Sequence, residues 1–97
     1  MITFTVDNEK LICYFSEQMD TESCLKYQEE IYGKVRESKK PVIFDMQKVG
    51  YIASVFLAMC IQISKEVGSG NFTLRNVHPN VKKVFKIAKM DKLMNII

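Results

Sequence analysis

Ser54 and Asp45 are the residues of this sequence whose side chains are best suited to chemistry. Ser54 lies at the start of a predicted helix, where free backbone N–H groups and the helix dipole favour a phosphate, so it is a candidate phosphoacceptor. Local chemistry favours a different role for the same serine, as the N-cap of that helix. Asp45 ends a predicted strand. It faces a partner or supports the next loop, or else it is a solvated turn carboxylate bonded to nearby backbone N–H groups.

Neither catalysis nor metal binding is indicated elsewhere. His78, the only histidine, has Asn76, Pro79 and Asn80 beside it but no second titratable group or nucleophile, so we interpret it as a turn residue. No glycine-rich phosphate loop, paired-carboxylate site or metal-ligand spacing is present. We therefore predict a protein that is not an enzyme and needs no cofactor or metal. The three cysteines show no CxxC spacing and are predicted to be buried thiols in a reducing compartment: Cys13, Cys24 and Cys60.

Length and composition predict one domain over residues 1–97. Hydrophobic residues make up 47% and charged residues 26%, which is typical of a globular chain. The longest apolar run has seven residues, from Val55 to Ile61, far fewer than the ~20 that span a bilayer. The first residues contain no basic segment of the kind that opens a signal peptide. We expect a soluble, cytoplasmic protein without membrane insertion.

Charge is distributed unevenly along the chain. Residues 1–45 carry nine acidic and six basic side chains, a net −3, whereas residues 46–97 carry two acidic and eight basic ones, a net +6. Four lysines of the last predicted helix, Lys82, Lys83, Lys86 and Lys89, form a basic face. Because no aromatic residues or nucleic-acid motif accompany them, we predict a solvated face and no direct nucleic-acid binding, with an acidic patch on a partner as the alternative.

Hydrophobic periodicity predicts an α/β fold, a mixed four- to five-stranded sheet with helices packed on it. A hairpin is followed by a helix that begins near Asp20 or Thr21 and ends before Pro41. The wholly apolar run Val42–Phe44 is typical of a central strand covered on both faces. The remaining elements are a helix over 54–67 stopped by glycine, a strand over 72–75, and a last helix with Val81, Val84, Phe85 and Ala88 inward.

The second half of the chain carries a series of family motifs. An apolar strand closed by an acid, Val42–Asp45, precedes the hydrophobic turn Val49–Ile52; an N-V-x-P-x-V element at 76–81 and Lys92-Leu93 come later. This frame resembles the STAS domain, the fold of bacterial anti-sigma factor antagonists and of the cytoplasmic tails of sulfate transporters. The N-terminal hairpin and first helix agree with the family in order and length.

The sequence departs from the family at the start of the second helix. Phosphorylated members read Asp-Ser-Ser/Thr-Gly-Leu there, and the third residue accepts phosphate from a partner kinase that is also the anti-sigma factor. This chain has Ala53, Ser54, Val55, Phe56 and Leu57 at those positions. Since Val55 has no hydroxyl, we predict that the usual phosphate switch is lost.

The resemblance implies a non-catalytic regulatory module that docks on an anti-sigma factor or serine kinase and controls transcription by partner switching. We expect Asp45 and the segment Ala53–Leu57 to form the partner-binding site. Phe56 is expected to be an exposed apolar anchor, although burial of the whole apolar run is the alternative. An accessory subunit of a membrane lipid or anion transport complex is the second function that the resemblance allows.

Overall fold

The computed structural model describes all 97 residues and confirms the predicted order of elements. The strands and helices, in chain order, are β1 (Ile2–Val6), β2 (Leu11–Phe15), α1 (Thr21–Ser38), β3 (Val42–Asp45), α2 (Ser54–Val67), a 3-10 turn (Ser69–Asn71), β4 (Phe72–Arg75), α3 (Pro79–Ile87) and β5 (Asn95–Ile96). The short β5 was not among the elements that hydrophobic periodicity predicted, because two residues are too few to show an alternation of apolar and polar side chains.

The five strands form one mixed sheet in the order β1-β2-β3-β4-β5. β1 and β2 pair as an antiparallel hairpin, and the other three pairings are parallel. The parallel pairing brings the carboxyl ends of β2, β3 and β4 to one edge of the sheet. The loops that leave these strands therefore meet at that edge, where side chains distant in sequence come together.

One face of the sheet carries the core. Along β2 and β3 the side chains that point to this face are completely or almost completely buried, and they join residues of all three helices in one cluster. Phe44 lies at its centre, with ring centroids 5.0 Å from Phe15 and 4.9 Å from Phe72. On the opposite face Ile43 is only half-buried and Tyr14 is exposed. The prediction that β3 is covered on both faces was therefore wrong, because the helices pack on one side.

The first helix begins and ends as predicted. Asp20 is its N-cap, and the Asp20 Oδ1 atom accepts a hydrogen bond of 2.8 Å from the Ser23 backbone N–H. The helix ends at Ser38, and Lys39 then adopts a left-handed conformation with φ of 54° two residues before Pro41. The capping aspartate thus satisfies one of the N–H groups that the first turn leaves without a partner.

The last helix buries fewer residues than its sequence suggested. Val81 and Phe85 are buried as predicted, but Val84 is 39% exposed and Ala88 is also exposed. The helix ends at Ile87, so Ala88 lies beyond the stripe that Val81 and Phe85 define. Each turn of α3 therefore contributes one buried side chain to the core, first Val81 and then Phe85.

All three cysteines are buried and free, as predicted. Burial raises the pKa of Cys13 to about 12 and that of Cys24 to about 11, and it raises the pKa of Cys60 well above its ordinary value. These thiols are therefore protonated at neutral pH and act as small apolar side chains.

Candidate functional site

The loop from Met46 to Ala53, which joins β3 to α2, is fixed on one side by the segment between β2 and α1. The Gln18 Oε1 atom accepts hydrogen bonds from the backbone N–H groups of Gly50, at 2.7 Å, and Tyr51, at 2.8 Å. Met19 and Ile52 form a parallel bridge, in which the Ala53 N–H donates to the Met19 carbonyl over 2.9 Å. The end of the loop therefore makes backbone hydrogen bonds like those between parallel strands.

The start of α3 fixes the same loop on its other side. The Asn80 Nδ2 atom donates to the Gly50 carbonyl oxygen at 2.6 Å, and the His78 Nε2 atom lies 2.6 Å from the Gln47 carbonyl oxygen. His78 is exposed and occupies the N-cap position of α3, which confirms that it is a turn residue. Gln18 and Asn80 were not predicted as site residues.

Apolar side chains anchor the loop from beneath while its polar side chains stay outside. Met46, Val49 and Ile52 are buried in the core cluster, whereas Gln47 and Lys48 are exposed and Tyr51 is 58% exposed. The outward-facing side chains thus belong to a backbone that is fixed by three sets of contacts: with the segment before α1, with the start of α3 and with the core. Such a surface binds a partner with little further loss of conformational freedom.

Asp45 supports the loop from the end of β3. Its carboxylate accepts hydrogen bonds from the Gln47 backbone N–H at 3.1 Å, from Arg75 Nε at 3.0 Å and from Asn76 Nδ2 at 3.2 Å. Burial by itself raises the pKa of Asp45, but these three hydrogen bonds outweigh it and hold the pKa below its ordinary value. Asp45 is only 7% exposed, so the expectation of a solvated turn carboxylate was wrong, whereas the expected hydrogen bond from a nearby backbone N–H group is present.

The start of α2 differs from the prediction at Ser54. Ala53 occupies the N-cap position, with extended backbone angles, and no side chain caps the helix. The Ala53 N–H donates to the Met19 carbonyl, and Ser54 is the first residue of the helix. The Ser54 side chain is exposed and makes no hydrogen bond within the protein. The interpretation of Ser54 as an N-cap was therefore wrong.

Phe56 is completely buried, so the expectation of an exposed anchor at this position was wrong. Its ring packs edge-on against Phe15, with centroids 5.8 Å apart, and lies 6.0 Å from Phe44. One turn into the helix, this position faces the centre of the sheet. Val55 and Leu57, on either side, are only half-buried, and Ala53 is 8% exposed.

The outer side of the loop and of the helix start is therefore one surface. We name it the loop–α2 surface and define it by its exposed or half-exposed side chains, Gln47, Lys48, Tyr51, Ser54, Val55 and Leu57. No group of three or more His, Cys, Asp or Glu side chains is arranged to hold a metal ion. None of the helices has the length and apolar character to cross a membrane.

Solved structures of known proteins share this fold. A candidate anti-sigma factor antagonist from Thermotoga maritima superposes with a TM-score of 0.88 at 17% identity, covering 98% of this chain and 84% of its own. An anti-sigma-factor antagonist (STAS) domain protein from Planctomyces limnophilus gives 0.86 at 16% identity, covering 98% and 87%. The unphosphorylated anti-sigma factor antagonist SpoIIAA gives 0.81 at 16% identity, covering 100% and 88%.

The sequence comparisons give the family directly. No curated protein sequence matches the chain significantly. The model of the STAS domain family, however, matches residues 1–97. This match spans the hairpin and first helix as well as the motifs of the second half. On that match, and with the five-stranded mixed sheet and three helices in place, the chain belongs to the STAS domain family.

Proposed function

We propose that this STAS domain is a non-catalytic regulatory module that docks on a protein partner through the loop–α2 surface. The observation that carries the proposal is the way the loop is held. Gln18 and Met19 on one side and Asn80 on the other fix its backbone, and these contacts leave its outer side chains free. A rigid loop with exposed side chains is the usual form of a recognition surface on a stable scaffold.

The partner that we propose is an anti-sigma factor or a serine kinase, so that the domain controls transcription by partner switching in the cytoplasm. The names of the structural neighbours support this class, since they are anti-sigma factor antagonists. With Phe56 buried, Tyr51 is the aromatic side chain of the loop–α2 surface, and aromatic residues often supply the strongest contacts in protein interfaces. Val55 and Leu57 add half-exposed apolar area beside it.

The docking proposal is tested by a matched pair of variants. Tyr51 and Leu25 are 58% and 57% exposed, but Leu25 lies on α1, outside the loop–α2 surface. The partner is first recovered from native lysate on the wild-type protein, and its affinity is then measured by titration calorimetry. Tyr51→Asp should weaken binding by at least ~2 kcal/mol, about 30-fold, as expected for an aromatic hot spot. Leu25→Asp should bind like the wild type, and equal affinities for all three proteins would contradict the proposal.

We further propose that phosphate does not switch this domain at the family's usual position. Val55 has no oxygen to accept a phosphoryl group. Ser54 has an exposed hydroxyl, but a shift of one residue on a helix turns the side chain by ~100°, so a kinase site shaped for the next position meets it poorly. Ser54 nevertheless remains the candidate phosphoacceptor of this surface.

Intact-mass spectrometry after incubation with the partner kinase and ATP tests this second proposal. The wild-type protein should gain no phosphate, whereas the Ala53→Asp, Val55→Ser double variant should gain one phosphate group. Phe56 is left unchanged in that variant because its ring belongs to the core. Stoichiometric phosphate on the wild type that disappears in Ser54→Ala would show that the switch has moved by one residue.

A second candidate function is that of an accessory subunit in a membrane lipid or anion transport complex. The lysines of α3 favour it, since all of them are exposed and a basic face suits a position close to anionic lipid. The same recovery of partners from lysate separates the two functions. Transporter ATPase and permease subunits would support the second, and a kinase-like anti-sigma factor the first.

A further inference from the structure

The positive charge of the molecule is concentrated in its last twenty residues. Residues 78–97 contain five lysines and one aspartate, a net +4, whereas residues 1–77 contain nine basic and ten acidic side chains, a net −1. The five lysines are all exposed, and none takes part in a salt bridge or a side-chain hydrogen bond: Lys82, Lys83, Lys86, Lys89 and Lys92. The charge of this segment is therefore not neutralised within the protein.

The lysines of α3 also repel one another. The helix has no acidic residue, and Lys86 lies four residues after Lys82 and three after Lys83, spacings that place side chains next to each other. Like charges at these spacings destabilise a helix. An external anionic surface would offset this repulsion, so that binding to such a surface would stabilise the arrangement of the α3 lysines.

Apolar side chains are exposed on the same helix. Val84 is 39% and Ile87 is 71% exposed, and their separation of three residues places them on one side of α3. Val81 and Phe85 are buried and fix the orientation of the helix, so Lys83, Lys86 and Ile87 point away from the core. Beyond the helix, Leu93 and Ile97 are 41% and 67% exposed. On α3 itself, apolar and basic side chains thus share one outward face.

We propose that this basic α3 face, formed by Lys82, Lys83, Val84, Lys86 and Ile87, binds the surface of an anionic lipid bilayer. Lysines act as point charges that attract a diffuse negative surface, and exposed apolar side chains among them enter the boundary between headgroups and acyl chains. An acidic protein partner would be expected to meet aromatic or arginine anchors, and this face has neither. The proposal deepens the second candidate function by naming the ligand of this face, and it does not depend on docking at the loop–α2 surface, which the recovery of partners from lysate tests separately.

The helix that carries the basic α3 face is bonded to the loop before α2. Asn80 and His78 connect the first turn of α3 to the loop from Met46 to Ala53. Lipid on the basic α3 face and a partner on the loop–α2 surface would therefore contact elements that are joined by hydrogen bonds.

Sedimentation with vesicles tests the proposal on the full chain. We compare vesicles of phosphatidylcholine alone with vesicles of phosphatidylcholine and an equal amount of phosphatidylglycerol. The protein should bind the mixed vesicles at low ionic strength and be released by salt, because salt screens exposed charges. Lys83→Glu with Lys86→Glu should weaken binding by at least ~30-fold, given what each lysine contributes near an anionic surface. Lys26→Glu with Lys65→Glu, the same charge change on α1 and α2, should weaken it much less.

A second variant separates lipid contact from net charge and from folding. Ile87→Ser leaves the charge unchanged and removes an exposed side chain, so it should weaken binding several-fold while the urea unfolding curve stays the same. The proposal is overturned by no binding to the mixed vesicles at low salt, by equal binding to phosphatidylcholine alone, or by equal losses in the two lysine pairs. Loss of a protein partner rather than of vesicles in Lys83→Glu with Lys86→Glu would also overturn it and assign the face to an acidic protein.

Discussion

The two long helices begin in different ways. At the start of α1, Asp20 caps the helix through a 2.8 Å hydrogen bond to the Ser23 N–H. At the start of α2, the N-cap residue is Ala53, no side chain caps the helix, and the Ser54 hydroxyl faces solvent without a partner in the protein. The start of α1 is therefore capped by a residue of its own segment. The start of α2 is instead positioned by the preceding loop, which is held by contacts with other elements.

Under the proposed function, the start of α1 serves stability and the start of α2 serves binding. The loop before α2 obtains its order from Gln18 and Asn80, so the helix start does not need a cap to be well placed. The Ser54 hydroxyl consequently remains available. Positions that break a local rule while other contacts compensate for it are often functional, which agrees with the docking that we propose at this end of α2.

The largest expected effect lies beneath the start of α2, at Phe56. Because its ring is fully buried against Phe15 and Phe44, Phe56→Ala should reduce the free energy of unfolding by about 3–5 kcal/mol. Urea unfolding followed by circular dichroism measures it. Val55→Ala, next to it and half-buried, is the matched control and should cost much less. Equal, small effects for both variants would mean that Phe56 is a surface residue after all.

An intermediate effect is expected at Gln18, which holds the loop before α2. Gln18→Ala removes the acceptor of two backbone hydrogen bonds and should cost about 1–3 kcal/mol. Hydrogen exchange should show faster exchange at the Gly50 and Tyr51 amides. Gln18→Glu keeps an acceptor oxygen at the same place and should retain slow exchange at both. If Gln18→Ala leaves both amides protected, the loop owes its order to other contacts.

The smallest effects are expected at the two helix starts themselves, and they should have opposite signs. Asp20→Ala removes the cap of α1 and should lower the free energy of unfolding by ~1 kcal/mol, whereas Ala53→Ser offers a cap to α2 and should raise it by up to ~1 kcal/mol. Thermal unfolding of both variants beside the wild type gives the comparison. A destabilising Ala53→Ser would mean that the buried Ala53 position has no room for a cap.

Features of the molecule that are determined by residues close together in the sequence could be predicted, and features that depend on distant residues could not. The bounds of α1 follow from its period, its capping Asp20 and the proline that follows it. The burial of Phe56 was missed because the run from Val55 to Ile61 is apolar on every side, and only the rings of Phe15 and Phe44 show which side faces the sheet. Gln18 was missed for a similar reason, since the loop it holds is more than thirty residues away.

Docking of a protein partner on the loop–α2 surface is the function that we propose for this domain. Hydrogen exchange of the free domain and of its complex with the partner recovered from lysate tests this most directly. We expect binding to slow exchange between about residues 47 and 57 and to leave exchange on the outer face of α1, around Leu25, unchanged. Protection confined to α1, or to the sheet face that carries Tyr14 and Arg75, would contradict it.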